Sequence, residues 1–370
     1  MTGSPHKGKI DRVFLGLVII LVIIGVFAFA TAGMAVLAED RSFFFRMLVN
    51  QIVLGLIGGG AVAYILQRTD YHIFKKYAWV LLGLGMIVTG LVFVPGVGVE
   101  FNGARRWLSL GPFSFQPAEL LKIVYIIYLA SWFTWIKDKI SEWKWGIMPF
   151  MAVTGVAGIL LLLQPDTGTF LVMIFAGGVM YFISGAPWKH ILAIVLIGLA
   201  GAGGLIFVRP YLLDRVTTFL NPASDPLGAS YQIQQALIAF GSGGVGGRGF
   251  GQGVQKFKYL PEPAGDSIFA VLGEEWGLVG TMLILIIFVI FLLRGYYIAR
   301  HTKDRFGKLL VIGIVTLIVG QVFLNMASIL GLFPLSGIPL VFMSQGGTAL
   351  LFGLAGVGII MNVSKNLKIK

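Results

Sequence analysis

The chain contains no cysteine, only four histidines and few charged residues, and each shortage removes a class of chemistry. Without cysteine there is no disulfide, no thiolate nucleophile and no Cys-ligated metal. Asp, Glu, Lys and Arg make up 12% of the 370 residues, where a soluble domain carries about 25%. What fills the gap is apolar: 57% of the chain is hydrophobic, in stretches of about twenty residues, each long enough to cross a bilayer core of about 30 Å. An outer-membrane barrel requires alternating segments of about ten residues. The continuous run from Val13 to Leu37 does not alternate, so the expected fold is all-α, a polytopic transmembrane helical bundle.

The basic flank of Lys7, Lys9 and Arg12 before the first apolar run resembles a signal peptide. The run is too long for that and lacks a small-residue cleavage site, so it reads as the first span. Ten spans are expected, near 13–37, 44–66, 73–95, 116–136, 147–164, 167–184, 188–208, 267–293, 308–331 and 341–363. No domain-sized soluble region interrupts them, so residues 1–370 read as one integral membrane domain. No internal repeat is visible, which disfavours an inverted-repeat transporter.

A net charge of +12 invites nucleic acid as a partner, but membrane topology explains it better, because Lys and Arg accumulate in cytoplasmic loops. Anionic lipid favours the same placement. With the N-terminus inside, the inner segments hold eighteen Lys and Arg, from Lys7 to Lys370, and the short outer loops hold Arg41, Arg46, Arg105 and Arg106. An even number of spans puts both termini in the cytoplasm. Two outer segments stand out: 96–119, and the long, Gly- and Pro-rich 209–266 between spans seven and eight. Long loops on a rigid scaffold commonly carry function.

His6, His72, His190 and His301 all fall on the inner side of this topology. Acid–base chemistry on the outer face must therefore use carboxylates. Asp and Glu with water can also hold Mg²⁺ or Mn²⁺. Glu119 and Lys122, three apart on the fourth span, share one face. They read either as a structural ion pair or as a cavity-lining pair for a charged substrate, since ionisable groups in a span usually face a polar interior. Asp266 opens the eighth span, where a helix cap and a catalytic carboxylate are both open readings. Glu274 and Glu275 lie two turns deeper and project about 100° apart, so they should not share one role. Asp166, in the tight turn Gln164-Pro165-Asp166-Thr167-Gly168, reads first as a turn or cap residue.

The glycine stretch from Gly241 to Gly253 resembles a phosphate cradle, because glycine lets backbone N–H groups approach an anion. It is not a P-loop, since no Gly-Lys-Ser/Thr follows. A flexible or re-entrant loop is the competing reading. Arg248, Lys256 and Lys258 nearby favour an anionic ligand. Arg105 and Arg106 add positive charge beside Trp107, and snorkelling to lipid phosphates also accounts for them.

These residues resemble the SEDS family, the shape, elongation, division and sporulation proteins of the FtsW/RodA type. The likeness covers nearly the whole chain. It is carried by Asn102-Gly103-Ala104-Arg105-Arg106-Trp107-Leu108, Gln116-Pro117-Ala118-Glu119-Leu120-Leu121-Lys122 and Gln164-Pro165-Asp166-Thr167-Gly168-Thr169. Beyond the midpoint it continues in Tyr231-Gln232-Ile233-Gln234-Gln235-Ala236, the glycine stretch, Tyr259-Leu260-Pro261-Glu262 and Asp266-Ser267-Ile268-Phe269-Ala270. It ends in Gly337-Ile338-Pro339-Leu340 and Ser344-Gln345-Gly346-Gly347-Thr348.

The resemblance implies a ten-helix peptidoglycan glycosyltransferase, inverting, with the division branch slightly favoured. Its implied substrate is lipid II, a disaccharide-pentapeptide on undecaprenyl pyrophosphate, and its implied partner is a class B penicillin-binding protein. The family's essential acid falls on Asp266, its polar pair on Glu119 and Lys122, and its Arg-Trp loop on Arg106 and Trp107. The family usually has His-Thr-Asp-Phe where this chain has Ala264-Gly265-Asp266-Ser267, so that His is absent. The family's Ser-Tyr-Gly-Gly-Ser is Ser-Gln-Gly-Gly-Thr here.

The expected chemistry is displacement of prenyl pyrophosphate from an anomeric carbon by a sugar hydroxyl, with Asp266 as general base. Arg105, Arg106, Lys122 and the loop cations, with or without Mg²⁺ or Mn²⁺, are expected to hold the pyrophosphate. Asp166 and Glu262 join the expected substrate-binding set, and no organic cofactor is required. The rivals are a lipid II flippase, an ion-coupled transporter with Glu119 and Lys122 on its path, and a non-catalytic scaffold for a division complex.

Overall fold

The computed structural model describes residues 8–101, 103–111, 113–221 and 230–367. Asn102 of the outer-loop motif, His6, Lys7, Lys368 and Lys370 lie outside them.

The fold opens with two helices capped by aspartate side chains. α1 (Arg12–Glu39) starts where Asp11 Oδ1 accepts the Phe14 N–H at 2.8 Å. α2 (Arg41–Val49) starts at Asp40, which accepts the Ser42 and Phe43 N–H groups. A π-helical stretch, Asn50–Gly58, carries the chain without a break into α3 (Gly59–Leu66). α4 (His72–Lys76) and α5 (Ala78–Gly90) follow. A small sheet then forms from β1 (Gly98–Phe101), β2 (Ala104–Leu110) and β3 (Phe113–Phe115), antiparallel in the order β1-β2-β3. Trp107 pairs with Val99 and Arg105 with Glu100, across a bulge at Val99/Glu100.

Proline opens α6 (Pro117–Trp135), where its missing N–H has no partner to lose. α7 (Ile147–Leu163), α8 (Thr167–Ile183) and α9 (Trp188–Val208) complete the central part. The long segment expected as a loop contains two helices, α10 (Pro210–Leu220) and α11 (Tyr231–Gly243). α12 (Ile268–His301), α13 (Arg305–Ile329) and α14 (Gly347–Ser364) finish the chain.

Among the described residues, seven helices are long and apolar enough to cross a membrane, and Ala78–Phe93, Ile147–Leu163 and Thr167–Ile183 are shorter apolar helices. These ten coincide with the expected spans. α13 and α14 are the buried centre, with 83% and 89% of their apolar windows inside the protein. α9, at 11%, is the most peripheral. The large apolar side chains left outside, such as Ile19, Ile23, Leu196 and Leu283, suit lipid, which has no water to repel them.

Polar contacts gather at the two ends of the bundle. At one end Arg294 pairs with Asp11 at 2.7 Å, the Tyr71 hydroxyl donates to Asp304, and the Gln67 carbonyl accepts from Asn362 and Lys365. Arg305 donates to the Ser184 carbonyl at the same end. The sheet, the Asp166 turn, α10, α11 and the connection before α14 occupy the other end. The division matches the two sets of segments separated by charge in the sequence.

Candidate active site

Asp266 stands two residues before α12, and its carboxylate does not cap that helix. Ser267 occupies the cap position, and its side chain makes no capping bond to the helix N–H groups. Asp266 Oδ1 instead accepts from Gln232 Nε2 at 3.1 Å, in the first turn of α11, and Gln232 also donates to Ser267 Oγ at 3.0 Å. The Asp266 carbonyl accepts from Asn325 Nδ2 of α13 at 2.8 Å, and the same amide donates to the Ile338 carbonyl. The turn is pinned from behind: Ser344 Oγ donates to the Gly265 carbonyl at 2.7 Å and the Gln345 N–H to the Ala264 carbonyl at 2.7 Å. Its inner bonds run from the Gly265 and Ser267 N–H groups to the Glu262 carbonyl. The Asp266 turn is thus fixed by α11, α13 and the connection before α14.

Arg215 of α10 arrives from another direction. Its Nη1 donates to the carbonyls of Leu335 at 2.9 Å and Ser336 at 3.4 Å. Gly337 follows with φ +65, a conformation that favours glycine. Burial pushes the Asp266 carboxyl above its ordinary 3.8, and the Gln232 hydrogen bond and the Arg215 charge pull it partly back. Arg215 is also within electrostatic range of Arg106 and Asp166.

Asp166 caps α8, its Oδ1 accepting the Thr169 N–H at 3.2 Å, and its Oδ2 lies 3.5 Å from Gln116 Nε2. Arg106 reaches the same turn, donating from Nε to the Gln164 carbonyl at 3.0 Å and from Nη2 to the Pro165 carbonyl. The head of α8 abuts the last connection so closely that a Cβ on Gly168 would lie 2.6 Å from the Ser336 carbonyl oxygen. Residues 335–340 therefore form a common wall for the Asp166 turn and the Asp266 turn.

Glu119 and Lys122 meet each other at 2.8 Å, both buried, and Lys122 Nζ also donates to Gln321 Oε1 at 2.6 Å. Gln321 Nε2 donates onward to the Pro339 carbonyl at 2.9 Å. The pair lines a narrow crevice of about 20 Å³ with Gln321, Val341, Phe352 and Gly353, and is tied through Gln321 to the same wall.

The remaining expected residues are distributed elsewhere. Arg105 pairs with Glu100 at 2.9 Å, both half exposed; its neighbour Arg106 points the other way, because successive strand residues face opposite sides. Trp107 is half-buried on the same strand. Arg248 lies 3.4 Å from Glu274, and the buried Lys256 is 2.6 Å from Glu275. Lys258 and Glu262, both at positive φ, line a groove of about 200 Å³ with Glu39, Tyr231 and Tyr259. Glu274 and Glu275 were expected to have separate roles; they bind different parts of the loop that wraps α12, Glu275 the Gly251 N–H and Glu274 the Val254 and Gln255 N–H groups.

Arg215, Gln232, Gln321 and Asn325 were not among the expected site residues. Gln232 does sit in a motif quoted above. The other amides are uncharged and pass unnoticed in a search for ionisable groups within spans. Among the described residues no three His, Asp or Glu side chains converge as a metal would require. The cations nearest Asp266 and Asp166 are guanidinium groups. This donor set does not fit a divalent ion held by protein alone.

The cell cycle protein family model, which covers FtsW, RodA and SpoVE, matches residues 11–369. Stage V sporulation protein E of Bacillus subtilis (strain 168) is 39% identical over 98% of this chain and 99% of its own. A protein of Geobacter sp. (strain M18) named probable peptidoglycan glycosyltransferase FtsW is 38% identical over 97% of both chains. Two solved structures share the fold. One, from work on the structural coordination of polymerization and crosslinking by a peptidoglycan synthase complex, has a TM-score of 0.78 and 31% identity over 97% of this chain and 98% of that one. The other, the rod shape determining protein RodA of Thermus thermophilus, has a TM-score of 0.69 and 29% identity over 98% of each. With the family model spanning nearly its whole length, this chain belongs to the cell cycle proteins of the FtsW, RodA and SpoVE type, the SEDS family.

Proposed function

We propose that this protein is a peptidoglycan glycosyltransferase that polymerises lipid II at the outer face of the bacterial cytoplasmic membrane, with Asp266 as its general base. The observation that carries the reading is a part-buried carboxylate, held on Gln232 and faced by Arg215, at the meeting point of α10, α11, α12 and the 335–346 connection. The relatives named as glycosyltransferases support the reaction class. The charge asymmetry between the two ends of the bundle supports the orientation, with both termini cytoplasmic.

In this reading the 4-hydroxyl of one sugar gives its proton to Asp266 as its oxygen bonds to the anomeric carbon of another. The bond from that carbon to pyrophosphate breaks, and prenyl pyrophosphate leaves. One base suffices for a direct inverting displacement, unlike the paired carboxylates of glycoside hydrolysis. Asp266 Oδ1 is engaged by Gln232, which assigns proton acceptance to Oδ2. A raised pKa makes the ionised carboxylate a stronger proton acceptor. Arg215 and Arg106 neutralise the leaving group, and the Glu119–Lys122 crevice is assigned to the substrate. A Mg²⁺ or Mn²⁺ ion would draw its oxygens mainly from pyrophosphate and water, and no step depends on it.

The likeness to a chain of a synthase complex supports a crosslinking partner of the class B penicillin-binding type, and the FtsW names support a division role. The test is purified Asp266→Asn incubated with labelled lipid II, with and without the partner and with penicillin. Loss of glycan strands is expected. Wild-type polymerisation by the variant removes the base, and lipid II translocation without polymer by the wild type favours a flippase.

A further inference from the structure

The glycine stretch, Arg248, Lys256, Glu274 and Glu275 form a cluster that the proposed reaction does not use. The stretch does cradle anions, and the anions are the chain's own. Glu274 accepts the Val254 and Gln255 N–H groups at 2.9 and 3.0 Å and faces Arg248. Glu275 accepts the Gly251 N–H at 2.9 Å and Lys256 Nζ at 2.6 Å, with both side chains of that pair fully buried.

The backbones are joined as well. The Arg248 and Gly249 N–H groups donate to the Glu274 and Glu275 carbonyls, and the Leu278 and Val279 N–H groups donate to Gly244 and Val245. These bonds replace those the helix loses at the Gly277 break. α12 is thereby a short front segment, Ile268–Trp276, clasped at its rear.

That segment runs parallel to α11. The two touch at the front through Gln232 and Asp266. They also touch at the rear, where a Cβ on Gly243 would lie 2.1 Å from the Gly273 carbonyl oxygen. The clasp grips α12 where α11 ends, so it sets the register of one helix against the other. That register sets where Gln232 meets Asp266.

We propose that Glu274 and Glu275 are positioning residues, which lock α11 against the front of α12 so that Gln232 is delivered to Asp266. This deepens the reading of Asp266 as the base and rests on it. A slip of about 1 Å between positioned groups is enough to cost about a hundredfold in rate.

The test compares wild type, Glu275→Gln, Gln232→Ala and the double variant Gln232→Ala/Glu275→Gln in the full-length membrane protein with its partner. Glu275→Gln should lower kcat for lipid II about tenfold or more with little change in KM. Its acid limb should move to higher pH, because the Gln232 bond that favours the ionised Asp266 is loosened. The double variant should move the limb no further than Gln232→Ala alone. The charged group facing Asp266 is Arg215 from α10, and Arg106 of β2 and Asp166 at the head of α8 face Arg215 in turn; all stay intact. A structural role alone would reduce the active fraction and leave the limb in place.

A second readout needs no catalysis. Amide hydrogen exchange at residues 231–243 and 266–276 should quicken in Glu275→Gln, and also in Lys256→Gln/Glu275→Gln, which avoids a lone buried ammonium. Unchanged exchange and an unmoved limb overturn the proposal. Faster exchange in Glu275→Gln, together with polymerisation that survives Asp266→Asn, would retain the clasp and reject the base.

Discussion

Arg215 and Asp266 flank Gly337: a Cβ at that glycine would lie 3.6 Å from Arg215 Nη2 and 4.0 Å from Asp266 Oδ2. The guanidinium spends Nη1 on the Leu335 carbonyl and keeps Nη2 on the side of the base. Arg215→Ala is expected to lower lipid II polymerisation about a hundredfold, the scale of losing one transition-state donor. Arg215→Lys keeps the charge but cannot make both contacts, since an ammonium lacks the planar fork, so it should fall between. Steady-state rates of the two variants, at matched thermal stability, check the ordering.

Asp266 must be ionised to accept a proton, and burial raises its pKa above 3.8. Activity should therefore rise with pH along a limb centred above that value, and Arg215→Ala should carry the limb higher still. Stability has the opposite sign. A raised folded pKa means the folded state holds the proton more tightly than the unfolded state, so this group's contribution is present at low pH and lost as pH rises through the folded pKa. Asp266→Asn should consequently abolish polymerisation while raising Tm at pH 7, as function-bearing strain commonly predicts. A variant that is both inactive and less stable at pH 7 would contradict the account of its burial.

The sequence left Glu119 and Lys122 as either a structural pair or a substrate-facing one, and the Gln321 link makes the choice measurable. Removing one member leaves the other charge buried and uncompensated, a loss of about 3–5 kcal/mol. Glu119→Gln should thus lower Tm sharply. Replacing both by Leu removes the two charges together and should recover most of that loss. If the pair contacts substrate, the stable double variant still polymerises poorly, with a raised KM. If it serves structure alone, activity returns along with stability.

How much was legible follows from which forces act along the chain and which act across it. Ten spans could be read because lipid demands an unbroken apolar run, a one-dimensional signal. Asp266 was singled out by the family resemblance, because a carboxylate at the head of a span reads as readily as a helix cap. Arg215 was hidden in the long segment left out of the charge count, and nothing local marks α10 as a helix turned toward a site. Gln321 and Asn325 carry no charge to mark them within an apolar span, and their roles exist only once α13 packs against Pro339 and Ile338. The binding of Glu274 and Glu275 to one loop was missed because nothing along the chain shows that the segment 244–256 wraps around α12 to meet both sides of it.

Gly168 gives a test of the common wall. A methyl there would lie 2.5 Å from Ile338 Cγ2 and 2.6 Å from the Ser336 carbonyl oxygen. Backbone on one side cannot yield cheaply, so Gly168→Ala should destabilise by about 1–3 kcal/mol, the usual range for overpacking. It should also displace residues 335–340 from the Asp166 turn, and with them Arg215. Polymerisation is expected to fall further than Gly178→Ala makes it fall, since a Cβ at Gly178 meets nothing within 4 Å. Equal behaviour of the two variants, by Tm and by rate, would show that the wall tolerates the shift.

The orientation can be settled without any catalytic assay, because the chain has no cysteine of its own. Single cysteines at the exposed positions Ser109 and Lys258 mark the end that holds Asp266, and cysteines at Lys139 and Lys303 mark the other. In intact spheroplasts a membrane-impermeant maleimide should label the first two at once and the second two only after permeabilisation. The physical ground is that Lys and Arg resist translocation, and eighteen of them sit in the segments assigned inside. The reverse labelling pattern would place Asp266 in the cytosol, where the proposed exported, lipid-linked substrate could not reach it.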